Sequence, residues 1–284
     1  LAAERDPRGE RAVPELPEVE TVVRDLRPLL VGRSFLEVAV SSKSLRHRWS
    51  RAWAKEILGR RVHRIERRGK WILIDLGKPW LLVHLGMTGQ FTVAEGLRET
   101  HTHLVFTLDN ARELRFRDVR RFGSVRLFPD RAQLDAFFQE SRLGPEPFEL
   151  VLDDWSRAVN RARRSLKAIL LDQTVVAGVG NIYADESLFE ARLHPTLLGF
   201  ELGRTRTERL RLAIINVLTR AIALRGSTIR DYIGGSGLRG EMQREFRVYG
   251  RTGEPCLRCG MPIQRMVLAG RSTHFCARCQ RKRR

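Results

Sequence analysis

Four cysteines constrain this chain more tightly than any other feature. Cys256-x2-Cys259 and Cys276-x2-Cys279 stand sixteen residues apart near the end of the 284-residue sequence. Two such knuckles offer four thiolates to one tetrahedral Zn2+, the pattern of a zinc ribbon, and a module below about 40 residues needs such a staple because it buries too little apolar surface of its own. Two disulfides would use the same residues, but no secretory signal precedes them, and disulfides belong to oxidising compartments. One zinc is therefore expected, in a structural role, since four thiolates leave no open coordination position. Between the knuckles, 266–268 and 272–275 read as two strands joined at Ala269-Gly270-Arg271, which puts Arg271 at a hairpin tip where it can reach a groove or a phosphate. A zinc ribbon that binds only protein is the alternative these residues leave open.

The charge balance points the same way. Lys plus Arg number 52 against 33 Asp plus Glu, a net charge of +19. Such an excess steers a protein towards a polyanion, nucleic acid ahead of a membrane surface or an acidic protein. No apolar run approaches the ~20 residues of a membrane-spanning helix. A soluble, cytoplasmic protein with no membrane partner is expected.

Along the chain, apolar or alternating runs recur at 62–65, 71–76, 80–85, 104–108, 113–116 and 125–128. Turn signals at Gly69, Gly77-Lys78-Pro79 and Asp109-Asn110 separate them, which predicts an antiparallel β-sandwich or barrel. Gly144-Pro145-Glu146-Pro147 reads as a linker. The stretch 153–223 is helical in pattern, and the cysteine module follows 247. The expected division is a tail 1–13, an N-terminal β-sandwich domain with flanking helices 14–143, a linker 144–152, a helical domain 153–246 and a zinc finger 247–284, an α+β multidomain fold.

Pro14-Glu15-Leu16-Pro17-Glu18-Val19-Glu20 is the chemically pointed segment. Proline at a true amino terminus supplies a secondary amine able to form an iminium with a sugar aldehyde carbon, but Pro14 as written is acylated by Val13. Val13 is what a GTG start codon would read as, so 1–13 are expected to be absent from the working protein. Pro17 suits a helix start, Glu18 and Glu20 lie in its first turn, and Val19, Val22, Val23, Leu26 and Leu30 repeat at helical spacing up to Gly32. A positive helix end keeps a nearby amine neutral, and Glu15 and Glu18 are the proton-handling groups beside it.

The helical region carries a second nucleic-acid signal. Residues 165–172 read as one helix, 173–180 as a turn and 181–191 as the next helix, with Asn181 as its cap and free N–H groups facing an anion such as phosphate. Arg161, Arg163, Arg164 and Lys167 give that turn a basic approach.

The heptapeptide at Pro14, with Thr21-Val22 after it, resembles the amino terminus of the bacterial formamidopyrimidine-DNA glycosylases. The likeness extends through GVGNIYADESL at 178–188, similar to that family's helix-two-turn-helix, to the zinc hairpin near Gln280. It implies a bifunctional base-excision repair enzyme acting on double-stranded DNA with oxidised purines, 8-oxoguanine and formamidopyrimidines, and nicking the strand by β,δ-elimination through a Schiff base on Pro14. It further implies that Glu15 moves protons, that Glu18 organises the site, that Lys70 is a catalytic lysine, and that Arg271 holds a phosphate and assists cleavage. His101, Lys167 and Asn181 would contact DNA, alongside Arg163, which the basic approach to the turn already marks as DNA-binding. Met87, Arg120 and Phe122 would fill the space left by an extruded nucleotide, with Arg120 facing the orphaned cytosine. The polar loop 226–247 would be a mobile lid, with 234–240 capping the lesion. A monomer, nucleoid-associated when bound, is the expected form. Val119 stands where the family usually has proline before Arg-Arg-Phe-Gly. The rivals are the oxidised-pyrimidine branch of the same scaffold, the endonuclease VIII type, and a non-catalytic lesion binder should 1–13 persist.

Overall fold

The computed structural model describes residues 14–228 and 234–282. The tail 1–13 lies outside the described residues, as does 229–233 within the expected lid. In chain order the elements are α1 (Leu16–Leu30), β1 (Phe35–Val40), α2 (Arg51–Ile57), β2 (Arg64–Arg68), β3 (Trp71–Asp75), β4 (Trp80–His84), β5 (Gly89–Ala94), β6 (Thr102–Leu108), β7 (Glu113–Asp118), β8 (Ser124–Phe128), α3 (Arg131–Glu140), α4 (Leu152–Asn160), α5 (Leu166–Leu171), α6 (Asn181–Glu190), α7 (Gly203–Ala223), β9 (Gln264–Leu268) and β10 (Arg271–Phe275).

Two four-stranded sheets, ordered β1-β6-β7-β5 and β2-β3-β4-β8, make the N-terminal sandwich, and every pairing in them is antiparallel. Ile72, Ile74, Leu81 and Val83 face Phe91, Phe106, Leu114 and Phe116 in the core between the sheets. The intervening residues Leu73, Trp80 and Leu82 face the other way, where α3 covers them with Leu134, Phe137 and Phe138. A sheet buried on both faces has no solvent side to alternate with, which is why 71–76 and 80–85 read as unbroken apolar runs. β1 and β5, by contrast, carry exposed or half-buried positions at every other step or more, and their short mixed sequences give no such run.

α1 ties two cores together. Val19, Val22, Val23, Leu26 and Leu30 pack into the sandwich, while Leu16 at its start belongs to the helical core with Trp155, Ile169, Tyr183, Ile214 and Leu218. The helical core also takes Met242 and Phe246, so 226–247 contributes core residues, contrary to its polar composition. The zinc module shares a small core of Phe189, Val248, Ile263, Cys256 and Cys276 with the end of α6.

Leu82 is fully buried and Leu36 is 58% exposed. Leu82→Ala should therefore cost about 2–5 kcal/mol, and Leu36→Ala less than about 0.5 kcal/mol, in equilibrium urea unfolding; equal costs would contradict the double-sided burial of the β3-β4 sheet.

Candidate active site

Two helix starts meet at Pro14. Glu15 is the N-cap of α1, and its backbone N–H donates to Glu18 Oε2 at 3.0 Å, the return half of a capping box. Its side chain does something the sequence does not announce. The Glu15 carboxylate accepts from Gly180 N–H at 2.6 Å, Ile182 N–H at 2.8 Å and Tyr183 N–H at 3.4 Å, so it occupies the anion position at the start of α6. The expectation of a phosphate there is corrected: Glu15 already fills that place, and the N-cap is Gly180, which has no side chain of its own to cap the helix. Asn181 is the first helical residue rather than the cap. The two glycines follow from this closeness, since a Cβ on Gly180 would lie 2.4 Å from Glu15 Cδ and one on Gly178 would lie 2.6 Å from Leu16 Cδ1. Leu16 N–H completes the seam by donating to Gly178 O at 3.0 Å.

Glu18 is buried as well. It accepts from Tyr183 Oη at 2.6 Å and from Ser227 N–H at 2.7 Å, so one carboxylate joins the segment behind Pro14 to α6 and to the start of the 226–247 loop. Burial raises the Glu15 carboxyl from 4.5 to about 7, overriding the Lys70 charge and the α6 N–H bonds that oppose it. Burial also raises Glu18, against its Tyr183 and Ser227 hydrogen bonds. Glu15 is thus a carboxyl that exchanges its proton near neutrality.

Lys70 follows Gly69 (φ +56°) in the turn between β2 and β3. A Cβ on Gly69 would lie 3.3 Å from Ala177 Cβ, so this turn lies against the one before α6. Glu146 clamps it: its carboxylate accepts from Gly69 N–H at 2.6 Å and pairs with Arg67 at 2.8 Å and Arg68 at 3.0 Å. Burial opposes ionisation of Glu146, yet the two arginines and that N–H hold its carboxyl below the usual range. The residue read as part of a linker therefore fixes the turn that carries Lys70. Burial lowers the Lys70 ammonium pKa, Glu15 and Glu18 counteract this, and Arg271 reinforces it, which places all four in one electrostatic cluster. His84 adjoins it: burial and Lys70 hold its imidazole down at about 4. His84 is therefore neutral at physiological pH, with Nδ1 accepting from Gly86 N–H at 3.0 Å.

Met87 and Arg120-Arg121-Phe122 stand on two loops that touch backbone to backbone, since a Cβ on Gly86 would lie 2.5 Å from Gly123 N. Asp118, fully buried, ties them. One of its oxygens accepts from Thr88 Oγ1 at 2.5 Å and Arg120 N–H at 3.2 Å, the other from Gly123 N–H at 2.7 Å. Phe122 is 46% exposed, not a core residue, and the Arg120 guanidinium lies 4.5 Å from its ring centre. Met87 is half-buried, and Val119 is exposed. His101 is exposed in a left-handed conformation, φ +67°; its neighbour His103 is buried between Ser41 Oγ and Asp118 O.

In the helical domain the structure separates the basic residues. Arg163 is exposed. Lys167 is completely buried, ion-paired to Asp185 Oδ1 at 2.6 Å and donating to Asn181 O at 2.9 Å. The expectation that Lys167 grips a phosphate is therefore corrected: a buried ammonium must be paired, and this one is spent holding α5 to α6. Asn181 is half-buried. The other Asp185 oxygen accepts from His274 N–H at 2.8 Å, while Glu186 accepts from the N–H groups of Arg247, Val248 and Tyr249. The zinc module is thereby hung on α6. The described part of the expected lid is anchored, with Ser236 N–H and Oγ donating to Asp25 and Gly240 N–H donating to Thr228 Oγ1 at 2.8 Å.

The four cysteine sulfurs lie within 4.8 Å of one another. Cys256 and Cys279 are 3.9 Å apart and Cys259 and Cys276 3.5 Å apart. Disulfides need about 2.05 Å, whereas the edge of a ZnS4 tetrahedron is about 3.8 Å, so the sulfurs fit zinc. Burial and its neighbouring sulfurs push the Cys279 thiol up to about 12; four thiolates this close require a cation. β9 and β10 pair from Leu268↔Arg271 to Gln264↔Phe275. Ala269 and Gly270, both with positive φ, form the two-residue turn, and Arg271 is the exposed first residue of β10 rather than the tip itself.

The formamidopyrimidine-DNA glycosylase N-terminal domain matches residues 13–125, the H2TH domain of formamidopyrimidine-DNA glycosylase matches 143–232, and a zinc finger found in FPG and IleRS matches 253–281. The chain belongs to the formamidopyrimidine-DNA glycosylase family. It is 44% identical over 276 residues to the formamidopyrimidine-DNA glycosylase of Geobacillus kaustophilus, covering 95% of this chain and 100% of that one. Among solved structures it is similar to the Lactococcus lactis Fpg in complex with abasic-site DNA, with TM-score 0.88, 37% identity, and 94% and 100% of the two chains covered. It is likewise similar to MutM in complex with carbocyclic 8-oxo-G DNA, with TM-score 0.87, 37% identity and coverage of 95% and 100%. The family is one of bifunctional DNA glycosylase/AP lyases, and its zinc finger with this cysteine cluster makes the zinc structural. Among the described residues no helix is long and apolar enough to cross a membrane.

Tyr183, Ser227, Glu146, Asp118 and His84 are the site residues that motif reading passes over. Tyr183 lies inside GVGNIY, but nothing in its spacing shows that its hydroxyl meets Glu18. The other four lie 66 or more residues away from Glu18 in sequence or act through backbone groups, which leave no side-chain pattern.

Two outcomes follow for this member of the glycosylase family. Because the folded Glu15 carboxyl sits at about 7 against 4.5, the folded state binds its proton more tightly than the unfolded chain. The resulting stabilisation is complete below pH 4.5 and is lost as pH rises through 7. Relative to Glu15→Gln, the wild type should lose a few kcal/mol of urea stability across that window, at about 1.4 kcal/mol per pH unit; parallel pH curves would contradict the assignment. Second, the protein should carry one zinc per chain by elemental analysis. Its removal should abolish hydrogen-exchange protection in β9 and β10 while β4 stays protected; protection that survives zinc loss would show that the hairpin needs no metal.

Proposed function

We propose that this chain removes oxidised purines from duplex DNA and cuts the strand with the imino group of Pro14, in a form whose first residue is Pro14. The observation that carries this reading is the convergence of Glu15 and Glu18 on the starts of α1 and α6, beside Lys70 and Arg271. Structures of relatives bound to abasic-site and 8-oxo-G DNA support the substrate class.

Neutral Pro14 attacks C1′ of an extruded nucleotide. The C1′–N bond to the base breaks, its electron pair leaving with the base, which takes up the proton that the Pro14 nitrogen sheds as it bonds to C1′. Glu15, protonated near neutrality, delivers a proton to O4′ as the sugar ring opens, and the nitrogen lone pair forms the iminium. The iminium acidifies C2′–H. Its loss expels the 3′ phosphate, and a second elimination expels the 5′ phosphate. Lys70 and Arg271 hold the phosphates as charge collects on them, and Glu18 keeps the Pro14 segment registered with α6. Zinc supplies no chemistry and holds the hairpin that carries Arg271. Met87, Arg120 and Phe122 occupy the vacated space, with Arg120 opposite cytosine; His101, Arg163 and Asn181 meet the DNA backbone, and 234–240 covers the everted base. The units 14–143, 153–246 and 247–284 share this work in a cytoplasmic monomer that joins the nucleoid when bound.

The test compares chains beginning at Pro14 and at Leu1 on duplexes carrying 8-oxoguanine opposite cytosine or thymine glycol. The shorter chain should leave a one-nucleotide gap with phosphate on both ends and prefer 8-oxoguanine, and the longer should bind without cutting. Cutting by both chains would overturn the role of the Pro14 nitrogen, and a preference for thymine glycol would assign the chain to the oxidised-pyrimidine branch.

A further inference from the structure

A second cationic site lies at the other end of α6. This helix of ten residues starts on Glu15 and runs about 15 Å away from it. Beyond its last residue opens a cavity of about 610 Å3 between the helical core and the metal-binding knuckles. Arg192, Arg206, Arg209, Arg258, Arg278 and Arg281 line it, and among the described residues no carboxylate does. We propose that this cavity binds phosphate groups, as a site separate from the one that takes the damaged strand.

The alternative is that these arginines only balance the zinc cluster, whose Cys259 and Cys279 form part of the wall. Four thiolates on one Zn2+ carry a formal charge of roughly −2, so six guanidiniums leave a clear positive excess. Arg258 is otherwise engaged, lying 4.3 Å from the centre of the Phe189 ring and donating to Phe189 O at 3.2 Å. Arg206 and Arg209 stand in the first two turns of α7, where the helix dipole disfavours cations. Arg206 is held there by its own hydrogen bonds, Nε donating to Leu202 O at 2.7 Å and Nη2 to Glu201 O. Burial and the charges of Arg206 and Arg192 depress the Arg209 guanidinium. Guanidiniums converging on a concave site fit phosphate oxygens bidentately, and the volume falls in the range of small-ligand pockets, about 300–1,000 Å3. The phosphate can belong to a second DNA segment or to a free oligophosphate; the chemistry of the cavity is the same for both.

The experiment uses the full zinc-loaded protein saturated with a short abasic-site duplex, so that its lesion-binding face is occupied. Calorimetric titration with tripolyphosphate should show binding of one equivalent, weakened at least tenfold in Arg206→Gln and Arg209→Gln, each checked for unchanged thermal unfolding and unchanged affinity for the lesion duplex. A second, undamaged labelled duplex is then offered to the same complex. If it joins and tripolyphosphate displaces it, the phosphate source is DNA; if tripolyphosphate binds and the duplex does not, the source is a free oligophosphate. The proposal is overturned if tripolyphosphate fails to bind the saturated complex, if both variants bind it like the wild type, or if an oligoglutamate peptide binds there and tripolyphosphate does not.

Discussion

The carboxylate of Glu15 in the open start of α6 is the contact on which the remaining geometry rests. A helix start presents unpaired N–H groups and a partial positive charge, and here the chain answers both with a side chain from 165 residues earlier. This one contact ties the start of α1 to the start of α6 at the seam between the β-sandwich and the helical core, with the Lys70 charge acting on Glu15. It also explains Gly180, where a Cβ would meet the Glu15 carboxyl, while Gly178 makes room for the neighbouring Leu16. The cost of burying the carboxylate appears as the raised pKa that lets Glu15 donate a proton near neutrality.

The same device recurs through the molecule. Glu18, Glu146, Asp185 and Glu186 are each buried, and each accepts hydrogen bonds from an element distant in sequence: Ser227, Gly69, His274 and the 247–249 backbone. Buried carboxylates bonded to N–H groups are directional, and losing one partner leaves an uncompensated charge. The catalytic parts are therefore held in register by polar ties, while the apolar cores on either side supply the stability.

Much of this was legible in the sequence, for physical reasons that differ by region. The cysteine spacing, the apolar runs of β3 and β4 and the helical repeat of α1 are local patterns, and each appears where periodicity puts it. The strands β1 and β5 are short and half exposed, so periodicity carries little. The misread residues share one trait. Lys167 looks like a surface cation and Asn181 like a cap only as long as their partners are unknown; Asp185 takes the first, and Glu15 makes a cap at Asn181 unnecessary. Long-range pairing of polar groups leaves no imprint on local sequence, and the organisation of the active site depends on such pairings.

The central claim is that the Pro14 nitrogen, placed by Glu15, is the atom that bonds to deoxyribose. Peptide mass mapping of the protein reduced with borohydride on 8-oxoguanine DNA locates that bond directly. The account predicts a reduced sugar fragment on the nitrogen of Pro14 as the first residue of the polypeptide. A fragment on the Lys70 side chain, or an adduct formed by a chain that still carries residues 1–13, would contradict it.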